Sequence, residues 1–165
     1  MTNNNKNREV QEIRKLIREV YNNGEEYRRN PKKLIRLFRK LLNYHLWREI
    51  YMTLIKKAID GKTIYYSELA YEVNKIMGET LLPEQGNQLG VTLGPILGII
   101  SWYEYLCGRP LLSAIVIRKS DNTPGDGFWG MNEYIPKIDN IEEIEEEQKR
   151  VFFCWGGKFD IKNSG

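Results

Sequence analysis

Histidine and cysteine are nearly absent from this chain: His45 is the single histidine, and Cys107 and Cys154 are the two cysteines, in 165 residues. A Ser-His-Asp set has only His45 to draw on. That residue precedes Leu46-Trp47 in an apolar-periodic stretch and reads as a packed or half-exposed helix position rather than a general base. No Cys-x-x-Cys pair or Cys/His cluster occurs, so no zinc site is expected. Both cysteines have apolar or aromatic neighbours, Tyr105-Leu106 and Phe152-Phe153, and are expected to be buried, inert thiols. No glycine-rich phosphate loop links a buried strand to a helix. No apolar run approaches the roughly 20 residues that cross a bilayer, and Met1 to Lys6 lack the apolar centre of a signal peptide. The expectation is a cytoplasmic chain with no membrane contact, no cofactor and no metal.

What is present describes a folded chain. With 41% hydrophobic, 12% aromatic and 28% charged residues, the composition is too apolar and aromatic for disorder. The length suits one core. The net charge of +3 is unevenly spread. Residues 1–60 hold 15 Lys and Arg against 7 Asp and Glu, an excess of +8, which leaves −5 for the rest. Such asymmetry fits a basic N-terminal face that meets phosphates, or one that meets the acidic C-terminal part of its own chain.

Val10, Ile13, Leu16, Ile17 and Val20 recur at helical spacing from Arg8 to about Asn22, where Asn22-Asn23-Gly24 stops the pattern. Asn30 as N-cap and Pro31 at the first helical position open a second helix through Leu42. Leu46, Trp47, Ile50, Tyr51, Leu54 and Ala58 form a third helix or continue the second, ending at Asp60-Gly61. Lys62 to Tyr65 is a short β-prone stretch, and a helix opens near Ser67. After a polar loop, Asn87 to Leu106 resumes apolar spacing, interrupted by Pro95. Gly90, Gly94 and Gly98 recur every fourth residue and permit close approach of a helix or a DNA strand. Leu111 to Lys119 is the strongest strand candidate, with a turn-rich Ser120 to Gly127 and a returning strand at Phe128-Trp129 that together make a hairpin. A last helix, capped by Asp139 or Asn140, carries glutamates in its first turns and Lys149 and Arg150 at its end.

Helix, short strand, helix, loop, helix and a hairpin with a glycine-rich tip is the order of a winged helix-turn-helix. The expected fold is α+β and mainly helical: a basic helical extension over 1–43, the winged core over 44–135, and an acidic helix and tail over 136–165, packed as one unit. In such a module one helix enters the major groove while the wing and nearby backbone touch phosphates. Asn87 and Gln88 would begin that helix, where Asn and Gln can read adenine edges; Asn87 reads equally as an N-cap. Arg118 and Lys119 would lie on the wing. Tyr66, Ser67 and Thr92 complete the expected DNA-contacting set.

Leu46-Trp47, Ile50 to Ala58 and, above all, Gly61-Lys62-Thr63-Ile64-Tyr65-Tyr66-Ser67-Glu68-Leu69-Ala70 resemble the C-terminal DNA-binding domain of O6-alkylguanine-DNA alkyltransferases and alkyltransferase-like proteins. Leu112 to Ile117 and Gly125-Asp126-Gly127-Phe128-Trp129-Gly130 resemble that family's active-site strand and the segment after it, so the likeness covers about residues 46–131. It implies that Tyr66 matches the tyrosine that presses on a phosphate during base flipping. The departures are specific. Where the family carries its Pro-Cys-His-Arg nucleophile motif this chain has Leu112-Ser113-Ala114-Ile115, which excludes alkyl transfer. The family's intercalating arginine falls at Val91, which argues against base flipping. Arg109 to Ala114 followed by Pro124 to Phe128 also resembles uncharacterised proteins of phages and mobile elements, a setting of DNA transactions or host defence.

The expected function is therefore non-catalytic binding of double-stranded DNA. The alternatives are a protein-interaction module, using the N-terminal helices for a partner or homodimer, and a metal-dependent nuclease built on Asp121, Asp126 and Glu133 near Lys119. Asp121 and Asp126 sit among Asn, Pro and Gly, where Asp serves turns. Trp102, Tyr103 and Tyr105 read as core residues before interface anchors.

Overall fold

The computed structural model describes residues 3–125, 135, 138 and 140–157. Among them the chain is mainly helical, with a two-stranded parallel sheet. In chain order the elements are α1 (Asn3–Asn22), α2 (Gly24–Arg29), α3 (Pro31–Leu41), α4 (His45–Ile59), β1 (Ile64–Tyr65), α5 (Tyr66–Met77), α6 (Asn87–Leu106), a 3-10 turn (Leu112–Ile115), β2 (Val116–Ile117) and α7 (Ile141–Gly156).

The apolar spacing of each helix is the cause of its packing. Ile13, Leu16 and Val20 of α1, Leu34, Phe38 and Leu41 of α3, and Trp47, Ile50 and Leu54 of α4 are buried in one continuous core that extends to Ile144 and Val151 of α7. The N-terminal helices thus belong to the main core rather than to a separate layer. Phe38 stacks on Tyr103 of α6 with ring centroids 3.7 Å apart and planes 4° from parallel. Trp102 is buried as expected, whereas Tyr105 faces solvent. Pro31 opens α3, and Asn30 before it makes no side-chain capping bond.

The expected strand from Leu111 to Lys119 is corrected to a 3-10 turn and the two-residue β2, which pairs in parallel with β1 through Ile64 with Val116 and Tyr65 with Ile117. Residues 111–117 are all buried. A run buried on every side loses the alternation that separates strand from helix, and so reads alike in both. Its polar groups are satisfied locally. Ser101 Oγ lies 2.5 Å from Ser113 Oγ and accepts the Ser113 N–H, and Gln148 Nε2 of α7 donates to the Ala114 carbonyl at 2.9 Å. The returning strand at Phe128-Trp129 lies outside the described residues.

Three further expectations are corrected. Lys149 and Arg150 sit mid-helix, because α7 continues to Gly156 before Gly157 turns into the left-handed region at φ 61°; Val151 is fully buried and carries the helix onward. Asn140 does cap it, its side chain accepting the Glu143 N–H at 2.9 Å. Cys107 and Cys154 are exposed rather than buried. Cys107 ends α6 and Cys154 lies in the last turn of α7, where neighbouring Phe152 and Trp155 occupy the inward positions. Finally, α6 is long and apolar enough to span a bilayer, although no such run was expected; half of it is buried inside this fold.

Candidate nucleic-acid interface

Glycine and proline chemistry expose the first half of α6. Gly86 precedes the helix at φ 80°, a backbone conformation that glycine adopts readily, so Gly86 rather than Asn87 stands at the N-cap and Asn87 is the first helical residue. Pro95 lies inside the helix and lacks an N–H, which leaves the Val91 carbonyl without its intrahelical donor. Asn87, Gln88, Gly90 and Val91 are all exposed, Val91 at 65%. A Cβ built on Gly90 or Gly94 meets nothing within 4 Å, so these glycines form an open surface instead of a helix contact.

The loop that aims this helix is held by a side chain with no evident role in the sequence. Asn74 of α5 is buried. Its Nδ2 donates to the Leu82 carbonyl and to Glu84 Oε2, each at 2.8 Å. Its Oδ1 accepts the N–H groups of Leu81 and Leu82, each at 2.9 Å. A polar residue four positions after Ala70, inside the stripe Leu69, Ala70, Val73 and Met77, was the available signal.

A cleft of about 730 Å³ runs along one side of the exposed half of α6. It brings together five of the expected site residues: Tyr66 and Ser67 at the start of α5, Asn87 of α6, and Arg118 and Lys119 after β2. Tyr65 and the glycines Gly90, Gly94 and Gly125 complete much of its wall, and no carboxylate lines it among the described residues. The parallel pairing of β1 with β2 is what carries Arg118 and Lys119 to the start of α5. Lys119 Nζ lies 5.5 Å from the centre of the Tyr65 ring, a cation–π arrangement. The Gly125 N–H donates to Tyr66 Oη at 2.9 Å.

The turn after β2 is closed by its own side chains. The Arg118 N–H donates to the Thr123 carbonyl at 2.8 Å, and Asn122 adopts φ 57°. Asp121 accepts from the Thr123 N–H and hydroxyl at 3.1 and 2.8 Å and pairs with Arg118 at 2.8 Å. Those hydrogen bonds from Thr123, with the nearby guanidinium, hold its carboxyl below the ordinary range. Asp121 therefore serves the turn. Asp126 and Glu133 lie outside the described residues, and among the described residues no three His, Cys, Asp or Glu side chains are grouped to hold a metal.

Gln88 and Thr92 are not in this cleft. They line a second cavity of about 500 Å³ on the other side of α6, against α1 and the Leu81-Leu82 loop. Val91 borders both cavities. His45 is half-buried at the start of α4, its Nε2 3.4 Å from Glu49, away from either cavity lining.

Compared with protein-family models, with curated proteins and with solved structures, the chain matches none.

Proposed function

We propose that this protein binds double-stranded DNA without catalysing a reaction on it, using α4, α5, α6 and the β1–β2 pair with its following turn as a winged helix-turn-helix. One observation carries the reading. The first half of α6 stands exposed beside a cleft that holds two cations, two tyrosines, a serine hydroxyl and no carboxylate among the described residues. On a duplex, Asn87 and Gln88 meet base edges from the helix start, where amide side chains pair with adenine. Tyr66, Ser67, Arg118 and Lys119 meet one phosphodiester strand, which fixes the register of the helix without reading sequence. Gly90 and Gly94 let the strand approach the α6 backbone, since neither carries a Cβ.

Fluorescence anisotropy of the protein against a random-sequence duplex, at low and moderate salt, tests this. Micromolar or tighter binding that weakens with salt, and is lost in a Tyr66→Ala, Arg118→Ala, Lys119→Ala variant, is the expected outcome. Absence of binding at low salt overturns it.

A protein partner is the second reading, and it has its own observation. Met52 and Ile59 are exposed two turns apart on one face of α4, and Phe153 is exposed on α7, whose Gly156 abuts the Ile59 carbonyl. Binding to a protein through this patch would show little of the salt dependence that phosphate contacts impose.

A further inference from the structure

We infer that Arg14 and Arg18 of α1 hold the second phosphodiester strand of the duplex, opposite the strand held by Arg118 and Lys119. This inference rests on the duplex-binding reading above and assigns the N-terminal helix a part in it.

Val91 borders both cavities, so the exposed half of α6 is a ridge with a groove along each flank. One groove carries Arg118 and Lys119; the other carries Arg14 and Arg18, again with no carboxylate among the described residues of its lining. A helix lying in the major groove has a phosphodiester strand along each side, and a ridge with cations in both flanking grooves matches that charge pattern.

The placement of α1 is fixed by packing. Tyr21 at its end donates its hydroxyl to the Pro95 carbonyl of α6 at 3.0 Å, and Ile13 and Ile17 face the shared groove. Charges on α1 are sorted around the helix. Of the three glutamates on α1, Glu9 accepts the His45 N–H at 3.1 Å and Glu19 accepts the Tyr27 hydroxyl at 3.3 Å, which draws these two toward α4 and α2; Glu12 lines neither groove. Arg14 and Arg18 are exposed on the groove side and have no ion-pair or hydrogen-bond partner among the described residues. Spaced four apart, they are neighbours on the helix surface, ~5–6 Å between Cβ atoms, suited to adjacent phosphates of one strand. Thr92, on the same flank of α6, supplies a neutral donor to that strand.

The test compares the full chain with three double variants by anisotropy on one random-sequence duplex across a salt series. They are Arg14→Gln with Arg18→Gln, Arg118→Gln with Lys119→Gln, and Arg36→Gln with Arg39→Gln; the last removes two exposed cations of α3 that line neither groove. Circular dichroism melting confirms that each is folded. The slope of log affinity against log salt is expected to drop by about two for each groove pair, with roughly 10- to 100-fold weaker binding at 0.1 M salt, and to stay near wild type for the α3 pair. Arg14→Lys with Arg18→Lys is expected to keep the wild-type slope. An unchanged slope in the Arg14/Arg18 variant, with a reduced one in the Arg118/Lys119 variant, overturns the second-strand contact and leaves duplex binding standing. An equal loss in the α3 variant also overturns it, since the effect is then one of general charge. No binding by the wild-type chain at low salt sinks both readings.

Discussion

The side-chain amide of Asn74 pairs in both directions with the backbone of Leu82, donating to its carbonyl at 2.8 Å and accepting its N–H at 2.9 Å. Together with the Leu81 N–H and the Glu84 carboxylate, this turns one buried residue into the internal frame of the loop between α5 and α6.

Replacing Asn74 by Ala orphans the buried Leu82 N–H, whereas the Leu81 N–H keeps the Glu79 carbonyl at 3.1 Å. An orphaned buried donor costs about 1–3 kcal/mol, and a loss of that order in urea denaturation is expected. Asn74→Asp retains the acceptor but sets a carboxylate against the Leu82 carbonyl and Glu84, and is expected to be at least as unstable at neutral pH. If the chain binds duplex as proposed, both variants should bind it more weakly at temperatures where they remain folded, because the loop sets where Gly86 and Asn87 begin α6.

Among the described residues, every α-helix but α2, their order and most of the core were legible because they rest on local signals; α2 (Gly24–Arg29), which buries Tyr27, follows directly on the Asn22-Asn23-Gly24 stop signal and is too short to show a period. Pro31 opens α3, Asn140 caps α7, and the three- and four-residue spacing of Ile13, Leu16 and Val20 returns as burial. What escaped depends on contacts distant in sequence. Leu111 to Ile117 is apolar throughout, and only packing against α4, α6 and α7 decides that it makes a 3-10 turn and two strand residues. Apolar neighbours do not bury Cys107 and Cys154, because adjacent residues on a helix occupy other faces than the residue they flank. Tyr66, Ser67, Asn87, Arg118 and Lys119 line one cleft, while Gln88 and Thr92 fall on the opposite flank of α6. Spacing near a helix start does not fix the angular position of each side chain until the helix is packed.

Glu104 of α6 is fully buried and bonded by the Tyr51 hydroxyl and the Arg109 guanidinium, with Arg109 also 5.6 Å from the Tyr103 ring centre and 5.5 Å from that of Trp155. Burial pushes the Glu104 carboxyl up, against the opposing pull of the Tyr51 and Arg109 bonds. Arg109→Met removes the countercharge and leaves a buried anion, so a loss of about 3–5 kcal/mol is expected at pH 7. The pH dependence has a definite sign. A carboxyl raised in the folded state favours folding once it is protonated, so the deficit of the variant relative to wild type should shrink as pH falls through the Glu104 range and be largest at neutral pH. Urea midpoints of both proteins from pH 7 to pH 4 check this; a deficit that grows toward acid contradicts it.

Among the described residues, Tyr27, Tyr51 and Tyr103 are held above the ordinary tyrosine range. Burial raises Tyr27, Tyr51 and Tyr103, and Tyr27, bonded to Glu19 and near Glu26, is pushed up to about 12. A phenol raised in the folded state contributes stability that is present below its ordinary range near 10 and lost as pH climbs toward the folded value. Absorbance titration at alkaline pH should show a delayed fraction that becomes normal in urea. Tyr27→Phe should reduce that fraction and flatten the decline of stability between about pH 10 and 12.

Gly125 and Tyr66 form the tightest joint at the cleft. A Cβ on Gly125 would lie 2.7 Å from Tyr66 Oη and 3.1 Å from its Cζ, so Gly125→Ala forces either the turn or the ring to move. Overpacking of this kind costs about 1–3 kcal/mol. Tyr66→Phe removes the nearest atom and also the acceptor of the Gly125 N–H. If the clash is with the hydroxyl, the double variant should be less destabilised than the two single losses added together, a coupling of about 0.5–3 kcal/mol in a double-mutant cycle. Strict additivity would place the strain elsewhere in the turn. The same four proteins test the proposed contact of Tyr66 with DNA. If its hydroxyl contacts phosphate as well as Gly125, Tyr66→Phe weakens duplex binding even though its ring still fills the cleft wall, and the double variant recovers stability without recovering affinity.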